Sequence, residues 1–123
     1  TTRVGLRRDV LKMWTRASRD PRCRIVADMT AKAFDFAEQV EGHGLLYFHD
    51  PMAVLAAIEP SLLKTEPLHV EVEVVGRVSR GATVADRRHR RPEEKANPNM
   101  QVAVDVDAER ALSVIRSRLC PWS

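Results

Sequence analysis

His69-Val70-Glu71-Val72-Glu73-Val74 decides the architecture. Its strict alternation puts Val70, Val72 and Val74 on one side of an extended chain and His69, Glu71 and Glu73 on the other, the pattern of an antiparallel strand with one wet face. Gly76 marks a turn after it. A second strand is predicted over 81–86, and Met100, Val102, Val104 and Val106 alternate again as a third. Asp107 then caps a closing helix with Ala111, Leu112, Ile115 and Leu119 as its buried stripe.

Upstream of residue 69 the apolar spacing is near 3.6 instead of 2. Residues 4–6 read as the tail of a strand with no obvious neighbour, followed by a helix carrying Val10, Leu11, Met13, Trp14 and Ala17 on one side. Asp20-Pro21 is an N-cap followed by proline at the first helical position, and the helix it opens is expected to bury Ile25, Met29, Ala33, Phe36 and Val40. His49-Asp50-Pro51 repeats the signature before residues 52–58, a short and nearly all-apolar helix that has to be buried. Helices, then three antiparallel strands, then one helix make an α+β layout over a single domain, residues 1–123.

The 123 residues are 44% hydrophobic and 30% charged, which excludes collagen-like, mucin-like and wholly disordered classes. No apolar run reaches the roughly 18–20 residues that span a bilayer, and the first residues lack a signal-peptide core, so a cytoplasmic protein without membrane partners is expected. Cys23 and Cys120 lie far apart without metal-ligand spacing and read as reduced thiols. Twenty Lys and Arg against seventeen Asp and Glu leave +3. Arg87, Arg88, Arg90, Arg91 and Lys95 against Glu93 and Glu94 account for that whole excess in one loop. Arginines in such a run give salt-sensitive affinity for nucleic acid. No aromatics interleave with them, however, and two glutamates follow, which favours a solvated loop.

Tyr47-Phe48-His49-Asp50-Pro51 is the most unusual local feature, two aromatics leading into an ionisable pair at a helix start. Two accounts of it stand side by side. Asp50 is a suitable N-cap, His49 an ordinary histidine and the aromatics core. Alternatively Asp50 is a hard oxygen ligand for Ca²⁺ or Mg²⁺ and His49 a general acid. His43, between Gly42 and Gly44, reads as a surface histidine.

Phe48-His49-Asp50-Pro51-Met52-Ala53-Val54, then Ile58-Glu59-Pro60, resembles the HDPxAV…xxP segment of the nucleoside hydrolases of the inosine-uridine-preferring type. Gly76-Arg77-Val78-Ser79-Arg80-Gly81-Ala82-Thr83-Val84-Ala85-Asp86-Arg87-Arg88 is similar to that family's G-x-x-S/T-R-G-x-T-x-x-D-x-R. Asn99 through Asp107 is similar to its N-x-x-V-A-x-x-x-D. The resemblance implies an enzyme of nucleoside salvage, in which Ca²⁺ holds the ribose hydroxyls and an attacking water while the N-glycosidic bond breaks through an oxocarbenium-like state. It implies Asp50 as a calcium ligand, His49 as the acid that helps the base depart, and Tyr47 and Phe48 as a stacking face for the base.

The family's N-terminal aspartate cluster, DxDxxxDD, has no counterpart here; Asp105 and Asp107 are the nearest pair, and a capping role suits them better. The chain therefore resembles the C-terminal third or so of such an enzyme and is expected to bind Ca²⁺ weakly and to be inactive alone. Three readings follow: the C-terminal part of a ribonucleoside hydrolase, a non-catalytic remnant serving as a binding or oligomerisation module, and a weak RNA-binding module built on Arg87 to Arg91. If the chain is a piece of that fold, exposed apolar surface and self-association are expected.

Overall fold

A computed structural model describes residues 2–87 and 97–122. The described elements are β1 (Gly5–Arg7), α1 (Arg8–Ala17), α2 (Pro21–Gln39), β2 (Leu45–Tyr47), α3 (His49–Ile58), a 3₁₀ turn (Pro60–Leu62), β3 (Leu63–Leu68), β4 (Val70–Val72), β5 (Thr83–Ala85), β6 (Met100–Val106) and α4 (Ala108–Leu119). Helices and small antiparallel sheets bear out the α+β class. Two compact units divide the chain: one runs to Leu62 and resumes at Val106, and the other is Leu63–Asp105.

The first unit holds the core. β1 pairs antiparallel with β2 in the register Gly5↔Tyr47, Leu6↔Leu46, Arg7↔Leu45. The strand expected to lack a neighbour thus has one, and Val4 and Leu6 are 1% and 2% exposed. A three-residue strand such as Leu45–Tyr47 is too short to show alternation, which is why the partner was not foreseen. Asp20 caps α2 as expected, its carboxylate accepting the Arg22 N–H at 2.9 Å.

The buried face of α2 is not the expected one. Cys23, Phe34 and Ala37 face the core, whereas Ile25, Met29, Phe36 and Val40 are 56%, 76%, 54% and 67% exposed. At 3.6 residues per turn, Phe34 and Phe36 point about 200° apart, so one stripe must face out when the other faces in. Phe34 wins because Arg8 stacks over its ring at 5.2 Å while reaching Asp35 at 2.6 Å and Glu38 at 2.9 Å, locking α1 to that side. Burying the Phe34 side chain contributes roughly 1.5–3 kcal/mol.

Cys23 and Cys120 form a disulfide, which overturns the expectation of reduced thiols. Ninety-seven positions separate them in sequence, but α4 packs against α2 and brings their Cα atoms within 4.6 Å. Disulfides persist in oxidising surroundings, so the cysteines no longer support a cytoplasmic setting. Among the described residues no helix is long and apolar enough to cross a membrane.

The three expected strands are present, β4 and β5 in narrower bounds and β6 in the expected ones, together with β3, which the sequence does not announce. Pro67 lacks a ladder N–H and argues against a strand, yet tolerates a sheet edge. β3 pairs with β6, and β4 pairs antiparallel with β5, so two two-stranded ladders stand where one three-stranded segment was expected. Asn99 extends this pairing with its side chain: Nδ2 donates to the Val70 carbonyl at 2.9 Å and Oδ1 accepts the Val70 N–H at 2.8 Å. The carboxamide imitates a backbone neighbour.

His69 ties the same region together, with Nδ1 2.9 Å from the Asn97 carbonyl and Nε2 3.1 Å from Glu71 Oε1. Both partners are acceptors, so only the imidazolium satisfies both by donating, and these bonds raise its pKa above the ordinary 6.5. A raised pKa gives stability that is full below the unfolded value and is lost as pH climbs through the folded one. We expect the thermal midpoint to fall modestly above pH 6.5 in the natural chain and to lose that slope in His69→Gln. Equal slopes by circular dichroism would refute the tether.

Candidate functional site

β2 runs directly into α3, and the Phe48 N–H donates to the Val4 carbonyl at 3.0 Å, so the β1–β2 pair fixes where the helix begins. Phe48 is the N-cap residue, with no side-chain capping bond. Asp50 is therefore not the N-cap. Histidine, aspartate and proline occupy the first three helical positions, and proline is tolerated there because the N–H groups of the first turn have no helical acceptor. Reading Pro51 as the first helical residue placed the start two residues late.

His49 and Asp50 are both exposed on this first turn, side by side, and open to a ligand. Phe48 is buried, at 9% exposure, and its ring belongs to the core. The stacking face expected of the two aromatics is thus left to half-buried Tyr47. Met52 and Leu55 turn inward, while Val54 and Ile58 are exposed, so α3 is covered on one side and not throughout.

His43, expected as a surface histidine, stands on this same surface beside Tyr47. His43 lies between Gly42 and Gly44, both at positive φ, which glycine adopts without strain. This turn brings its Nδ1 to accept the Leu45 N–H at 3.1 Å and its Nε2 to 2.9 Å from Glu41. Its ring centre is 5.2 Å from that of Tyr47, which in turn is 6.2 Å from that of His49. The sequence gives no sign of its ring contact with Tyr47.

Calcium demands about six to eight oxygens. Among the described residues no group of three or more His, Cys, Asp or Glu side chains could hold a metal ion. Asp50 alone does not supply the oxygens of a Ca²⁺ site. Asp107 caps α4 instead, accepting the Arg110 N–H at 3.0 Å. Of the basic loop, Arg87 approaches Glu66 at 3.8 Å, and Arg88, Arg90, Arg91 and Lys95 lie outside the described residues.

Comparison with known proteins gives this geometry a context. The chain is 41% identical over 71 residues to the inosine-uridine preferring nucleoside hydrolase of Crithidia fasciculata, a stretch covering 58% of this chain and 22% of that protein. Over 62 residues it is 40% identical to the Leishmania major protein of the same description, covering 50% of this chain and 19% of the relative. In three dimensions 98% of the chain matches a purine-preferring ribonucleoside hydrolase from Gardnerella vaginalis, with a TM-score of 0.76 and 30% identity. A plant nucleoside hydrolase shares the fold over 97% of the chain, with a TM-score of 0.81 and 24% identity. The chain spans 37% and 38% of those two structures, respectively. The sequence pattern of the inosine-uridine preferring nucleoside hydrolases matches residues 1–113, and the chain belongs to that family.

Proposed function

We propose that this chain is the C-terminal part of a ribonucleoside hydrolase, cleaving the N-glycosidic bond of purine or pyrimidine nucleosides to ribose and free base. The observation that carries this reading is the adjacent, exposed His49 and Asp50 at the start of α3 in a chain of this family. A nucleobase departs poorly as an anion, so a proton delivered to it as the C–N bond stretches lowers the barrier. His49 is the donor. Its side chain lies open to solvent, which lets it exchange its proton with water between turnovers. Tyr47 lines the base side beside it. Asp50 would give one carboxylate to a Ca²⁺ site whose remaining oxygens are not found among the described residues.

Ribose release from inosine and from uridine, measured with Ca²⁺ for this chain alone and then with an added N-terminal portion of a nucleoside hydrolase, tests the proposal. Activity only in the combined sample is expected. Its absence from both would remove the enzymatic reading.

The exposed stripe on α2 favours a second reading, a non-catalytic module that associates with itself. Sedimentation velocity across a range of concentrations decides: a species that remains monomeric ends it.

A further inference from the structure

We propose that Tyr47 is a positioning residue for His49, a role that rests on the hydrolase reading above. An imidazole that delivers a proton needs a fixed orientation, usually supplied by a hydrogen bond to its second nitrogen. Among the described residues the His49 side chain has no hydrogen-bond partner, and its ring contact is with Tyr47, 6.2 Å between centres and tilted by 47°. The separation lies within the range of aromatic pairs that hold a preferred geometry. Tyr47 is itself held from two sides. On one side stands the anchored ring of His43, 5.2 Å away and tilted by 59°. On the other is the backbone of Gly5, its partner in the β1–β2 register. A Cβ at Gly5 would sit 3.3 Å from both Cδ1 and Cε1 of Tyr47, so the phenol ring occupies the space a side chain would fill. The bare α-carbon seats Tyr47, and Tyr47 orients His49.

Imidazole proton resonances of the 123-residue chain read this arrangement directly. Tyr47→Leu is expected to shift those of both His43 and His49, by loss of the ring current, and to leave His69 in place. Tyr47→Phe keeps the ring and restores the natural positions. Gly5→Ala, a milder change requiring the ring to retreat by a few tenths of an ångström, moves the same two histidines and serves if Tyr47→Leu does not fold. His49 resonances unmoved in the folded variant would overturn the proposal. In the combined enzyme, Tyr47→Leu lowers kcat about tenfold to a hundredfold, and Tyr47→Phe recovers it; an unaltered kcat also overturns positioning. Failure of the natural sequence to release ribose counts against the hydrolase reading instead, and the resonances still report the ring contact.

Discussion

Reducing the Cys23–Cys120 bridge lowers the unfolding free energy by about 3–5 kcal/mol. In the chain-entropy account, a cross-link stabilises by restricting the unfolded ensemble, and a loop of about a hundred residues corresponds to about 4.7 kcal/mol. This bridge closes a loop of 97 positions, nearly the whole chain, and both cysteines are buried at 1% and 2% exposure. The effect is large beside the marginal stability of a domain this size. Urea unfolding with and without a thiol reductant, repeated on Cys23→Ala/Cys120→Ala, measures it. The reduced chain and the double variant should share a lowered midpoint, and coincidence of all curves with the oxidised chain would show that the bridge constrains nothing.

His49→Ala lowers kcat for nucleoside hydrolysis by about 10²–10⁴-fold, the usual contribution of a positioned proton donor. KM changes little, because the proton is given in the transition state and not on binding. The side chain is exposed and has no hydrogen-bond partner among the described residues, so its removal leaves the thermal midpoint nearly unchanged. That separation of activity from stability distinguishes a chemical role from a structural one. Comparing ribose release by the natural and His49→Ala forms of the combined enzyme, with melting curves for both, makes the check. Undiminished release in the variant would assign the proton to another group.

Where local chemistry decides structure, the sequence was readable. Asp20 before Pro21 and Asp107 before Ala108 mark helix starts that the structure reproduces, because a cap is satisfied within one turn. Val102, Val104 and Val106 are half-buried while Ala103 and Asp105 between them are exposed, as an alternating pleat requires. Choices made by distant packing were not readable. α2 carries apolar residues on two sides, and distant partners, Arg8 over Phe34 and Cys120 bonded to Cys23, hold the Phe34 side inward. Pro51 is compatible with more than one position in a first turn, which moved Asp50 from its expected capping place. The candidate site divides the same way. Tyr47, His49 and Asp50 stand out as residues, but the row of rings through His43 exists because β1 pairs with β2, and no spacing in the sequence announces that pairing.

The bridge also determines how the chain yields to force. Pulled from points on either side of Cys23 and Cys120, the oxidised molecule cannot extend the 97 positions between them, and about 320–350 Å of contour length stays locked behind the sulfur–sulfur bond. Its extensibility is therefore set by redox state.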